Sequence, residues 1–135
     1  MKSALVLHGY VTTCASSISQ KAALAAWTHE AAAAREEYRA IFHRRRDHLL
    51  SQLRNELGLR CVTPEGAFYT MVDVSGYGDE MKVAEAGLEQ GVVTIPAAAF
   101  GDQSRGFLRI SFCADEERLS EGVKRLGTAL LSLKD

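Results

Sequence analysis

A small sheet covered by helices, a two-layer α/β sandwich, is the fold that this sequence predicts. Three observations lead there. A helical stripe runs from about residue 30 to residue 57, short β-branched and aromatic runs punctuated by Gly and Pro follow it, and the chain closes on a second amphipathic helix. The 135 residues are 47% apolar and 24% charged, an ordinary globular balance. That length fits one domain with a real core, and is short for a cofactor enzyme of two lobes.

The elements follow in order. The start, Met1 to Leu7, carries one lysine and a short apolar stretch. His8, Tyr10, Thr12 and Thr13 interrupt it, so it does not read as a signal peptide. Alanine dominates Ala22 to Ala34 and favours helix. Ser16 or Ser17 is placed to cap a helix reaching about Trp27, and Thr28-His29-Glu30 makes the joint to a longer one. In that second helix Tyr38, Phe42, Leu49, Leu53 and Leu57 share one stripe, flanked by Ile41 and Leu50. Gly58 stands where a left-handed cap is expected. About 25 helical residues extend roughly 37 Å, the length of a spine bridging two lobes. Leu59 to Val62 and Ala67 to Val74 read as strands around the turn Thr63-Pro64-Glu65-Gly66. Asp79 caps a helix expected to turn Met81, Ala84 and Leu88 inward, with Gly91 closing it. Val92 to Ile95 is a brief strand stopped by Pro96, and Ala97 to Gly106 is a loop. Phe107 to Phe112 forms another strand. Asp115 caps the last helix, in which Leu119, Val123, Leu126, Leu130 and Leu133 form the buried stripe.

Several function classes are excluded. A formal net charge of −1 attracts neither nucleic acid nor an anionic membrane. No apolar run approaches the ~20 residues of a membrane span. Cys14, Cys61 and Cys113 make an odd set without CxxC spacing, which reads as reduced thiols in a cytoplasmic protein. His8, His29, His43 and His48 have no metal-ligand spacing, so no metal is assigned. The run His43-Arg44-Arg45-Arg46-Asp47-His48 lies mid-helix and reads as a solvated face. Nothing in the spacing supports a hydrolytic triad.

Three constellations remain. Arg109 sits inside Gly106-Phe107-Leu108-Arg109-Ile110-Ser111-Phe112, where alternation puts Leu108, Ile110 and Phe112 on one face and Phe107, Arg109 and Ser111 on the other. A guanidinium so placed needs a partner. That partner is either an internal acid, in a structural salt bridge, or a carboxylate ligand held in a planar fork. Pro64-Glu65-Gly66-Ala67-Phe68-Tyr69 is a turn entering an aromatic strand. Tyr10 to Ser17 clusters hydroxyls ahead of a helix, which suits N-capping or an anion such as phosphate.

In this order the motifs resemble one family. Thr12-Thr13-Cys14-Ala15-Ser16-Ser17 through Gln20-Lys21-Ala22 looks like the segment after the cofactor lysine of class I aminotransferases of the aspartate-aminotransferase type. Tyr38-Arg39 to Leu53 is similar to that family's interdomain helix. Pro64 to Tyr69 resembles its Pro-x-Gly-x-Phe-Tyr turn. Ile95-Pro96, Phe100-Gly101 and Gly106 to Phe112 look like its closing signature. The resemblance implies fold type I, with residues 1–29 a remnant of the large domain. Residues 30–135 would be the small C-terminal domain, and residues 30–57 the interdomain helix. It implies that Arg109 grips the substrate α-carboxylate, and that Tyr10, Thr12 and Thr13 lie near the neighbouring subunit's cofactor in a homodimer. It also implies transfer of an amino group between an amino acid and a 2-oxo acid on pyridoxal phosphate, with the cofactor as electron sink.

The sequence also departs from that pattern. The family's cofactor lysine, pyridine-facing aspartate and phosphate-binding arginine all belong upstream of residue 1. Lys2 lacks the expected Gly-x-Arg-x-Gly context, and Lys21, Lys82, Lys124 and Lys134 fall on or at the end of predicted helices. The chain is therefore read as a fragment, inactive by itself, with no catalytic residue of its own and no pyridoxal phosphate bound. The alternative is a stand-alone carboxylate-binding or dimerisation module that kept the fold. Related lyase or decarboxylase chemistry on the same fold stays open.

Overall fold

The computed structural model describes residues 1–133, so Lys134 lies outside the described residues. The chain divides into two compact units, residues 1–39 and residues 40 onward, with the division falling inside the long helix.

The first unit is helical. Lys2–Thr12 forms α1, a helix the sequence pattern does not announce because it has no inward face: none of its residues is buried. Thr13 ends it at a positive φ of 54°, with its amide bonded to the Gly9 carbonyl at 3.0 Å. The segment expected to be a polar stretch ahead of a helix is thus helical itself through Thr12. Ser17–Ala25 forms α2, which stops two residues short of Trp27. Ser16 stands at its N-cap position without a side-chain cap bond, and Gln20 Nε2 donates to the Ala15 carbonyl at 2.9 Å. The long helix α3 covers His29–Asn55. Its entry joint is as expected, with Thr28 Oγ1 accepting from the Ala31 amide at 3.4 Å.

From Ala40 onward α3 enters the second unit, where Leu49, Leu50 and Leu53 are buried and Phe42 and Leu57 pack against the core. The stripe fails at its other end, for Tyr38 is 63% exposed. Gly58 follows with φ +66°, in the left-handed region that favours glycine.

Three antiparallel strands form the sheet, in the order β1 (Tyr69–Asp73), β3 (Phe107–Ser111), β2 (Ile95–Pro96). Each is shorter than its apolar run, for a local reason. Ala67 has φ +59°, which no extended strand accommodates, so β1 begins at Tyr69. Gly58 and Pro64 confine the segment between them, and Leu59 to Val62 makes only one bridge, Cys61 to Val72. Val92 gives its amide to the Gly87 carbonyl at 2.8 Å, which commits it to the end of the preceding helix. Only Ile95 and Pro96 then pair, on an edge where the missing proline N–H costs no ladder bond.

Two helices complete the layer. Glu80–Glu89 forms α4, capped by Asp79 Oδ1, which accepts from the Met81 amide at 3.0 Å. Its buried face is Val83, Ala84 and Gly87, whereas Met81 and Leu88, expected inside, are 51% and 60% exposed. Gly87 fits this orientation, since a Cβ there would lie 3.3 Å from the Val92 carbonyl and 4.0 Å from Leu126 of the last helix. Glu116–Ser132 forms α5, capped by Asp115, and buries Leu119, Val123, Leu126 and Leu130 as expected, with Leu133 partly buried. These helices and α3 close one core against Val72, Val74, Leu108 and Phe112.

The arginine run is a solvated face only in part: His43, Arg44 and Asp47 are exposed, whereas Arg45 and Arg46 are partly buried. Arg46 has a side chain only 19% exposed and donates to the Pro64 carbonyl at 3.0 Å. Arg45 donates to the Cys113 carbonyl at 2.6 Å. Arg54, further along, reaches the Cys61 carbonyl at 2.9 Å and Thr63 Oγ1 at 2.7 Å. These side chains satisfy carbonyls that the short strands leave without ladder partners. Cys61 is partly buried, and burial pushes its thiol pKa up. Cys14 and Cys113 are exposed free thiols. Among the described residues no helix is long and apolar enough to cross a membrane.

Asp73 closes β1. Its Oδ1 accepts from Ser75 Oγ at 2.6 Å and from the Ser75 amide at 3.0 Å, while Oδ2 pairs with Arg60. The Ser75 hydroxyl and amide, followed by Arg60, hold this carboxyl below its usual range. A carboxyl depressed in the folded state stabilises the fold above its unfolded pKa of about 3.9, and that contribution disappears as the pH falls through the folded value. Urea unfolding of Asp73→Asn should therefore show a shallower loss of stability below about pH 5 than the unaltered chain.

Candidate carboxylate-binding site

The site starts from the register of β3. Met71 and Ile95 stand opposite Arg109 on its two sides, and Val72 and Pro96 stand opposite Leu108. Leu108 is fully buried in the core. Alternation turns Arg109 to the opposite face of the sheet, the face that also carries Tyr69, Met71 and Asp73 from β1. Gly106 sets the start of the strand. Its φ is +81°, and a Cβ there would meet Ser75 at 3.1 Å, so only glycine fits. Its carbonyl accepts from the Val74 amide at 2.8 Å and its amide donates to Glu80 Oε2 at 3.2 Å.

Arg109 lies between two rings. Its guanidinium carbon is 4.3 Å from the centroid of Tyr69 and 4.3 Å from that of Phe100. Tyr69 opens β1, one diagonal step from Arg109, and Phe100 ends a 3-10 turn, Ala97–Phe100, directly after β2. Among the described residues these two rings make no ring pair with each other, and the cation stands over both. Among the described residues no carboxylate lies within ion-pair distance of Arg109, and its N–H groups have no hydrogen-bond acceptor. The acid that the register places on this face, Asp73, is committed to Ser75 and Arg60. Among the described residues, therefore, Arg109 does not form the structural salt bridge that the sequence left open.

The other residues named from the sequence are in the first unit. Tyr10 and Thr12 occupy the last turn of α1 and Thr13 its C-terminal end, all three exposed. Two residues that the sequence quotes only as parts of motifs, Tyr69 and Phe100, emerge as the walls around Arg109. Tyr69 was findable from strand register. Phe100 reaches Arg109 through a turn that no periodicity describes.

A family model for aminotransferase class I and II matches residues 4–126. Over 70% of its length the chain is 43% identical to a probable aspartate/prephenate aminotransferase of Aquifex aeolicus, covering 25% of that protein. It is 36% identical to a probable N-acetyl-LL-diaminopimelate aminotransferase of Bacillus subtilis, over 99% of this chain and 34% of that protein. Among solved structures, aspartate aminotransferase from Thermus thermophilus with maleate superposes with a TM-score of 0.81 at 36% identity, covering 92% of this chain and 32% of that one. The chain belongs to the class I and II aminotransferases, and its fold is that of fold type I. It spans between a quarter and a third of the length of these relatives.

Pyridoxal phosphate, which this family implies, needs a lysine amine in a desolvated pocket to hold its aldehyde and donors around its phosphate. Lys2, Lys21, Lys82 and Lys124 are all exposed on helices. Among the described residues no lysine stands in such a pocket.

An arginine serving a structural ion pair would cost about 3–5 kcal/mol to remove. Because Arg109 has no such pair, Arg109→Met, which keeps an unbranched stem between the rings, should change unfolding free energy by about 1 kcal/mol or less. Chemical denaturation of both forms checks this.

Proposed function

We propose that this chain is the C-terminal part of a pyridoxal-phosphate-dependent aminotransferase that moves an amino group from an amino acid to a 2-oxo acid, and that Arg109 grips the substrate α-carboxylate. One observation supports this reading: a guanidinium flanked by two aromatic rings that, among the described residues, has no internal acid and no acceptor for its N–H groups. A planar cation in that state matches a carboxylate, which accepts two parallel N–H bonds. The Thermus thermophilus relative described with maleate, a dicarboxylate, supports the same ligand class.

In this reading residues 1–29 belong with a large domain, and residues 30–135 form the small domain with its interdomain helix over 30–57. Tyr10, Thr12 and Thr13 face the cofactor of the neighbouring subunit in a homodimer. The first unit supports a covered role for its helices. Leu5, Leu7, Tyr10 and Val11 on α1 and Ile18 on α2 are each at least 67% exposed, an apolar surface that a lone chain leaves in water and that favours self-association. The cofactor, when bound in the whole protein, supplies the electron sink. Arg109 supplies orientation: by fixing the carboxylate it sets where the substrate's amino group lies. The protein is assigned to the cytoplasm, in keeping with its three free thiols.

Two measurements test this. In the protein joined to its lysine-bearing large domain, Arg109→Ala should lower kcat/KM about thirty- to five-thousand-fold, the equivalent of about 2–5 kcal/mol for a truncated charge pair, with cofactor loading intact. Unchanged kinetics would remove Arg109 from the site. The 135-residue chain alone, incubated with pyridoxal phosphate and freed of unbound cofactor, should show no visible absorbance, and borohydride added afterwards should leave no stoichiometric modification of one lysine. A single fully modified lysine would contradict the assignment of the cofactor lysine to a missing segment.

A further inference from the structure

Arginine has a long, mobile side chain, and a carboxylate clamp works only when the plane of the guanidinium is fixed before the ligand arrives. Hydrogen bonds to neighbouring acids or amides are one way to fix it. Arg109 has none among the described residues. What it has is a ring on either side, each centroid 4.3 Å from Cζ. From this geometry we infer that Tyr69 and Phe100 are positioning residues for carboxylate recognition, holding the guanidinium of Arg109 by stacking so that its in-plane N–H edge stays free for the ligand. The inference rests on the carboxylate reading of Arg109 given above.

The two rings come from separate segments, so their meeting on one cation is a product of the fold. Tyr69 is fixed by the β1–β3 ladder, in which it pairs with Ser111. Its ring is backed by Phe68, with centroids 4.3 Å apart, and Phe68 in turn meets Phe42 of α3 at 6.4 Å. Arg45 covers Phe42 at 5.7 Å and is itself tied to the Cys113 carbonyl. A run of rings and cations thus joins the second unit's part of α3 to the wall of the site. Phe100, by contrast, is 51% exposed on a turn, and its contact with Arg109 is what gives that apolar ring a partner.

Stacking does three things here. It restricts the side-chain torsions of Arg109, so less conformational entropy is lost when a ligand binds. It excludes water from the π faces, which strengthens the remaining charge interaction. It also leaves the five N–H donors unused, because a ring face accepts the cation through its quadrupole instead of through a lone pair.

The test uses the full 135-residue chain, nitrogen-15 labelled, with maleate as the probe. The Arg109 Nε–Hε signal is assigned by its loss in Arg109→Lys. In the unaltered chain this proton should be shifted upfield by the ring currents, and maleate should move it in a saturable way. Phe100→Leu and Tyr69→Leu should each relax the upfield shift and raise the maleate Kd about tenfold, consistent with a desolvated cation–π contact. Tyr69→Phe, which keeps the ring and loses only the hydroxyl, should match the unaltered chain in both. Phe100 is exposed, so its variant keeps the measurement valid if Tyr69→Leu disturbs the strand. If maleate moves the Arg109 signal equally well in the leucine variants, the positioning role is wrong while the carboxylate reading stands. If maleate leaves the Arg109 signal of the unaltered chain unmoved, the carboxylate reading fails and the positioning role falls with it.

Discussion

The alternation along β3 is the constraint on which the rest of this structure depends. Leu108 must point into the core, because it closes the packing between the sheet and the helices α3, α4 and α5. Its neighbour Arg109 therefore points the other way, whatever its chemistry requires. The register with β1 then brings Tyr69 within a diagonal step, and β2 delivers Phe100 through the turn that follows it. Gly106 starts the strand at a φ that other residues rarely adopt, and its tight contact with Ser75 leaves no room for a side chain. Burial of one apolar residue thus places a cation on the opposite face.

That cation is held in an uncommon way. Partly buried arginines are usually neutralised by an acid, and β1 carries one on the same face. Asp73 is nonetheless bound to Ser75 and to Arg60, so its charge is already compensated. The aromatic rings stabilise Arg109 without consuming its N–H groups, which is the state a receptor for carboxylate needs before the ligand arrives. In the function proposed above, that ligand is the α-carboxylate of an amino acid or a 2-oxo acid.

The helices with strong stripes were legible in the sequence. In α5, Leu119, Val123, Leu126 and Leu130 are spaced for one face and pack there, and the caps at Asp79 and Asp115 form as their side-chain chemistry dictates. Elsewhere local rules were overridden. Helix α1 has no inward face, so no period betrays it. In α4 the backbone of Gly87, not the larger Met81 and Leu88, faces inward, because close approach to Val92 outweighs side-chain size. Of the arginines read as a solvated face, Arg44 is exposed, but Arg45 and Arg46 hold loop carbonyls, a role set by the loops that fold onto them. Arg109 was visible as a residue in need of a partner. Of its aromatic neighbours, Tyr69 follows from strand register, whereas Phe100 does not, since it lies nine residues away along the chain and is carried there by a turn.

The most direct measurement is a crystal structure of the chain joined to the large domain proposed for it and bound to maleate. The account predicts one carboxylate in the plane of the Arg109 guanidinium, accepting two N–H bonds at about 2.7–2.9 Å, with the rings of Tyr69 and Phe100 on either side. Maleate bound elsewhere, with Arg109 turned onto an aspartate or glutamate of the protein, would contradict it.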